Sequence, residues 1–350
     1  MDPIDILLRG TLALDIVGWI VRIVAVLVVP VNRRPSSATA WLMLIFLVPY
    51  VGLIAFLLIG TPKLPKARRA KQRQVNARIL ERTKGMDHVP ADDPGPPWLQ
   101  SVVTLNRHLG AMPLVTGNHA LLLSDYDGAI TAMTEAIDAA HKYVHCEFYI
   151  LSLDEATAPF FDALARAKAR GVSVRVMFDH IGSLRSPGYR KTIKALRASG
   201  VDWRPMLPVQ PYRGKYQRPD LRNHRKLLVI DGDVAFMGSQ NLIHRSYNKR
   251  ANRRRGLMWQ ELMVRLEGPI VGGVDALFIT DWYSETDEIL TGEIGRGDPS
   301  LALSTLECQI VPSGPGFDGE NNLKLFNSLI YNARERLRIV SPYFVPDESL

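Results

Sequence analysis

Six residues at fixed spacing carry the chemistry of this 350-residue chain: His224, Lys226 and Asp231, then Gly238, Ser239 and Asn241. The run 227–230, Leu-Leu-Val-Ile, has strand character, Asp231-Gly232 or Gly232-Asp233 is a turn signal, and 234–237 supplies the returning arm of a hairpin. Residues two apart in a strand share a face, so His224 and Lys226 set an imidazole nucleophile beside a permanent cation. On the returning arm Ser239 and Asn241 share a face in the same way, and Gly238 lets the backbone come close to a ligand. A nucleophile with several fixed donors around it is what transfer of a phosphoryl group requires, and the scheme needs no metal and no cofactor. A basic strand with a satisfied core histidine is the bland alternative, and it leaves the whole spaced pattern to accident.

These six residues match the HKD signature of the phospholipase D superfamily, and the run Arg222 to Gly232 resembles that of bacterial cardiolipin synthases. The resemblance implies that His224 is the nucleophile or its acid partner, and that Lys226, Ser239 and Asn241 hold phosphate oxygens. It makes Asp231, a member of the catalytic motif, more structural than chemical. It also implies that an acidic residue on a strand soon after the motif, here Glu261, accepts a hydrogen bond from the nucleophilic histidine and orients its ring. Many relatives carry Asp there, and Glu is longer. Glu147, beside Phe148 and Tyr149, is either a pocket residue or part of a buried structural pair.

The elements that must position these residues are of two kinds. Residues 40–60 contain no charge and are long enough to cross a hydrocarbon core of about 30 Å. Residues 10–30 are also apolar but carry Asp15 and Arg22, seven apart and close to one helical face, suited to a partner helix rather than lipid; an interfacial or re-entrant segment is the alternative. A secretory signal peptide fits poorly, because Asp2 and Asp5 spoil its basic start. Lys63, Lys66, Arg68, Arg69, Lys71 and Arg73 follow the second run, against Arg33 and Arg34 between the two. The positive-inside rule therefore expects everything after residue 63 in the cytoplasm, and the resemblance implies a multi-pass protein of the bacterial inner membrane. The same cluster suits anionic headgroups or serves only as a stop-transfer flank.

Beyond a Pro- and Asp-rich linker at 85–97, strands are expected at 120–123, 143–151 and 173–178, with helices at 128–141, 157–170 and 190–199. This alternation indicates an α/β layered architecture, and the resemblance specifies a phospholipase D-like α/β sandwich behind a two-helix transmembrane hairpin. The pattern of 121–151 recurs at 309–345, an offset of roughly 193 residues that marks a second lobe begun but not carried to its own motif. A single-motif chain completing its site by dimerisation is the alternative, and the oligomeric state stays open. The expected divisions are 1–62 membrane hairpin, 63–97 basic segment and linker, 98–295 first lobe and 296–350 start of the second.

A net charge of +8 suits a polyanionic partner, lipid or nucleic acid. Cys146 and Cys308 are too few for a disulfide framework and read as core thiols. The eight histidines show no zinc spacing, and His180 reads as structural or pocket-lining. The loop 211–222, with Arg213, Lys215, Arg218 and Arg222 interleaved by Tyr212 and Tyr216, is either a headgroup-facing or a solvated loop. The resemblance implies a cardiolipin synthase joining two phosphatidylglycerol molecules through a phosphohistidine and releasing glycerol. A phospholipase D-type hydrolase and a membrane-tethered nucleic-acid-binding or scaffold protein are the alternatives, and nucleic acid is the less expected partner given the intact motif.

Overall fold

A computed structural model describes residues 3–31, 33, 35–60, 64–86, 95–210, 212, 217–290, 306–314, 316–317, 320–341 and 343. The chain divides into two units, residues 1–64 and 65–350.

In the first unit α1 (Pro3–Val28) is one continuous helix. Its segment Thr11–Val28 is long and apolar enough to cross a membrane. The second apolar run is not one helix. It breaks at Val48 into α2 (Pro35–Leu47) and α3 (Pro49–Ile59). Pro49 has no N–H to continue the ladder and its ring collides with the preceding turn. A Cβ on Gly52 would lie 2.7 Å from Ile45 Cα, so α3 folds back against α2 with glycine at the contact. At a rise of about 1.5 Å per residue each piece falls short of a 30 Å core. Arg22 does turn to a partner helix: its Nε donates to the Phe46 carbonyl at 3.1 Å, beside the break where α2 runs out of its own donors.

The second unit is built on an eight-stranded sheet of order β4-β3-β2-β5-β6-β7-β1-β8. Its strands are β1 (Leu114–Leu123), β2 (Tyr143–Phe148), β3 (Ser173–Asp179), β4 (Asp202–Met206), β5 (Lys226–Ile230), β6 (Val234–Gly238), β7 (Met263–Glu267) and β8 (Leu306–Gln309). β2, β3 and β4 run parallel, and the remaining pairings are antiparallel. α6 (Tyr126–Asp138) and α7 (Ala158–Ala169) close a core of Ile130, Met133, Phe148, Phe160, Phe178 and Phe236. α11 (Ile270–Thr286) packs against β2, β5, β6 and β7. β2 has no exposed residue, as expected of a strand with neighbours on both edges and helices over its faces.

The expected strands and helices are found to within a few residues, apart from β1, which begins six residues early, and β2, which ends at Phe148. Two segments differ from expectation. The basic run after residue 63 includes α4 (Lys66–Arg82), which lies on α11 through ion pairs Arg68–Glu285 at 2.7 Å and Lys71–Asp287 at 2.6 Å. These two cations are therefore engaged by protein carboxylates rather than left for lipid headgroups. The start of the expected second lobe is fastened to the first: β8 adds to the edge of β1, and Gln309 Nε2 donates to the carbonyls of Val103 and Met112, each at 3.1 Å. α12 (Asn321–Asn332) packs on α5 (Leu99–Gly110). Residues 87–94 of the expected linker, and 342 and 344–350 at the end of the expected repeat, lie outside the described residues.

The motif hairpin forms as expected, with Leu227 paired to Met237 and Ile230 to Val234. Asp231 (φ 55°) and Gly232 (φ 79°) make its left-handed turn. The Asp231 carboxylate accepts from the backbone N–H groups of His141, Lys142 and Tyr143, each at 2.8 Å, which ties the turn to the start of β2. Because charge-assisted hydrogen bonds contribute roughly 1.5–3 kcal/mol each and share one anchor, Asp231→Ala should cost about 2–4 kcal/mol, with Asp231→Asn losing less. Thermal unfolding of the purified variants measures both.

Candidate functional site

The motif residues gather at one end of the sheet because of its register. Lys226, the first residue of β5, lies opposite Phe148, the last of β2. The chain on either side continues past the sheet, so Tyr149 and His224 meet face to face with ring centroids 3.9 Å apart and planes at 18°. Lys226 Nζ sits 5.4 Å from the centroid of the same Tyr149 ring and donates to the His224 carbonyl. One aromatic side chain thus bears both the imidazole and the ammonium. Tyr149 is itself confined, since a Cβ on Gly182 would lie 2.9 Å from its ring carbons.

Asn241 comes in from the other arm. Its Oδ1 accepts from the Ile150 backbone N–H at 2.9 Å, one residue beyond Tyr149, and its Nδ2 donates to Tyr247 Oη at 2.9 Å. Ser239 Oγ donates to Glu261 at 2.5 Å, and Tyr247 Oη donates to the other Glu261 oxygen at 3.3 Å. Glu261 therefore engages Ser239 and Tyr247, and among the described residues it makes no hydrogen bond to His224. It precedes β7 rather than lying in it. At Gly238 a Cβ would lie 2.2 Å from the Leu262 carbonyl oxygen, so glycine is required there by the close approach of the chain entering β7. Asp231 sits at the far end of β5, away from this cluster.

Beneath His224 lies a polar floor that pattern reading did not resolve. Asn223 Nδ2 donates to Glu147 at 3.0 Å and to Asp281 of α11 at 2.7 Å, and Arg225 pairs with the same Asp281. Glu147 is buried with Oε2 unpartnered. Burial and the neighbouring Asp281 push its carboxyl well above the usual range, which favours the protonated form. Of the two sequence readings of Glu147, the buried structural partner describes these contacts. Asn223 and Arg225 flank His224 within the motif and could have been suspected; Asp281, far along the chain, left no signal.

The electrostatics separate the two motif side chains. Burial and then the nearby Lys226 lower the His224 pKa, which favours a neutral ring at pH 7. Burial lowers Lys226 to about 8, against the opposing pull of Glu261 and Glu147. Lys226 is accordingly a cation at pH 7 that gives up its proton more readily than an ordinary lysine. In the neighbouring layer Arg222 is buried and paired with Asp179 at 3.2 Å, while His180 Nδ1 accepts from the Val209 N–H at 3.2 Å. Arg222 therefore faces protein, not headgroups, and His180 is buried with a backbone partner. Arg218 is engaged by Asp220 and Tyr212 is exposed, whereas Arg213, Lys215 and Tyr216 lie outside the described residues. Among the described residues no group of three or more His, Cys, Asp or Glu is arranged to hold a metal.

Such a cluster offers an uncharged imidazole nitrogen, a titratable ammonium, a hydroxyl and an amide, a set suited to an anionic tetrahedral group. If Lys226 is held as described, its amine should titrate near pH 8, and Glu261→Gln should lower that value further by removing a favourable charge. The pH dependence of the Lys226 NMR resonance, or of its modification by an amine reagent, measures this; an ordinary lysine titration in both proteins would contradict it.

Comparison with known proteins gives concordant matches. Residues 133–282 match the family described as cardiolipin synthase, PLD-like domain, and residues 13–60 match phospholipase D-nuclease N-terminal. Cardiolipin synthase A of Proteus mirabilis is 32% identical over 337 residues, and that of Klebsiella pneumoniae is 31% identical over 332. In both cases the match covers 91% of this chain and 66% of the relative, so the chain spans slightly less than two thirds of their length. Nuc from Salmonella typhimurium, a phospholipase D family member of known structure, matches at 18% identity with a TM-score of 0.37, over 48% of this chain and 96% of that one.

Proposed function

The chain belongs to the phospholipase D superfamily, with the PLD-like domain of cardiolipin synthases, and from that premise we propose that it is a membrane-bound phosphatidyltransferase that makes cardiolipin from two phosphatidylglycerol molecules. The observation that carries this reading is the shared seating of His224 and Lys226 on the Tyr149 ring, with a histidine whose neutral form is favoured beside an ammonium.

A ring nitrogen of His224 attacks the phosphorus of one phosphatidylglycerol; the P–N bond forms as the bond to the glycerol oxygen breaks. The departing alkoxide takes a proton from an acid supplied by a second His-x-Lys motif, in further chain or in a second copy. The hydroxyl of the second phosphatidylglycerol then attacks the phosphohistidine; the new P–O bond forms as the P–N bond to His224 breaks, the hydroxyl proton returns to that acid, and cardiolipin leaves. Splitting one displacement into two covalent steps lowers each barrier. Lys226, Ser239 and Asn241 supply donors to the non-bridging oxygens, where charge builds up in each transition state. Glu261 supports this set by holding Ser239 and Tyr247 and by favouring the charged form of Lys226. Glu147 and Asp231 act on structure, the first beneath His224 and the second at the hairpin turn. The divisions of the chain follow: a membrane anchor to about residue 62, then a soluble unit that the flanking Lys and Arg residues hold on the cytoplasmic side of the bacterial inner membrane.

The test is product analysis by thin-layer chromatography or mass spectrometry on phosphatidylglycerol vesicles, using the protein with whatever natural sequence follows Leu350. Cardiolipin and glycerol are expected. His224→Ala should lose at least about a thousandfold in rate, and Ser239→Ala or Asn241→Ala about a hundredfold. Phosphatidic acid as the sole product would make the protein a hydrolase. No turnover, with salt-dependent DNA affinity, would move it to the binding class.

A further inference from the structure

α11 separates two environments. One face carries Asp281 and Asp275 toward the sheet and the floor of the reactive cluster. The opposite face, with Gly273, Ala276 and Ile279, borders a cavity of about 320 Å³ whose other wall is Val75 and Ile79 of α4. The lining is almost wholly apolar and contains no carboxylate. The cavity shares no lining residue with the His224 cluster.

The basic residues of α4 fall into two sets. Arg68 and Lys71, near its start, are engaged by Glu285 and Asp287 and clamp the helix to α11. Arg78 and Arg82, one helical turn apart, are exposed at the rim of the cavity and form no ion pair among the described residues. An apolar chamber whose mouth carries two guanidinium groups that no described residue engages matches a ligand with a hydrocarbon tail and an anionic phosphate head.

We propose that the cavity between α4 and α11 holds one acyl chain of an anionic phospholipid, with Arg78 and Arg82 on its phosphate, at a site separate from the reactive cluster. A bound lipid there joins α4 to α11 through its tail and lies outside the path of the reacting phosphate. The site would fix the soluble unit against the anionic bilayer surface and make its seating depend on lipid charge.

The test uses the full chain carrying His224→Ala, so that turnover neither consumes the lipid nor bears on the result. Protein purified in nonionic detergent and stripped of lipid is titrated with dipalmitoyl phosphatidylglycerol or dipalmitoyl phosphatidylcholine, and bound lipids are counted by native mass spectrometry. One phosphatidylglycerol should be held about tenfold more tightly than phosphatidylcholine. The pair Arg78→Gln and Arg82→Gln should abolish that preference, each cation near a lipid phosphate being worth severalfold in affinity. Ala276→Trp should remove the bound lipid. Lipid at the reactive cluster is recognised by its insensitivity to all three substitutions. Unchanged phosphatidylglycerol affinity in the arginine double variant would overturn the proposal, and because both side chains are exposed that variant decides the matter even if Ala276→Trp does not fold. A parent protein that holds no lipid, its cavity filled by further protein chain, would overturn it equally.

Discussion

Setting an ammonium and an uncharged imidazole against one aromatic ring is the constraint on which the rest of this structure depends. Each group loses hydration at the Tyr149 ring, and the losses act in the same direction, lowering the pKa of both. The ring face compensates the cation. Glu261, which also holds Ser239, compensates it further. On either side of His224 in the chain, Asn223 and Arg225 bind Glu147 and Asp281 in one hydrogen-bonded layer. Gly182 leaves room for the ring itself.

α11 connects that layer to everything else. Asp281 reaches the motif, and one turn and a half earlier Asp275 is buried against β2. There Tyr143 Oη donates to it at 2.8 Å, and His145 Nδ1 lies 2.7 Å away with its ring stacked on Phe278. A buried carboxylate with two partners fixes the helix in rotation, because any slip would strand it in the core. The same rotation presents Gly273, Ala276 and Ile279 to α4, so one helix couples the juxtamembrane segment to the floor of the reactive cluster. In the membrane unit the analogous economy is at Arg22, whose guanidinium serves a helix break instead of standing in an apolar segment without a partner.

The reactive hairpin was legible because every part of it is local. Strand character, turn chemistry and the two-residue alternation of His224 with Lys226 and of Ser239 with Asn241 all lie within 18 residues of sequence. The strands and helices of residues 120–199 were legible for the same reason, since period and punctuation fix them before any packing occurs. Residues 40–60 are apolar throughout, as a span requires, and Pro49 and the local Gly52–Ile45 contact divide them into two apolar helices. The contact of Gly238 with Leu262 crosses the chain and left no local signal.

The sequence by itself determined the chemistry available to this protein: a histidine, a lysine, a serine and an asparagine presented from one hairpin, joined to an apolar N-terminal segment and a basic flank. Only the tertiary structure decided the state in which those groups operate. The lowered pKa of Lys226, the hydrogen bond from Ser239 to Glu261 and the ion pairs of Arg68 and Lys71 with carboxylates at the end of α11 all depend on desolvation and on partners far along the chain. Side-chain type sets what a group can donate or accept; the field and the water around it, which set its protonation and its partner, exist only once distant segments have packed.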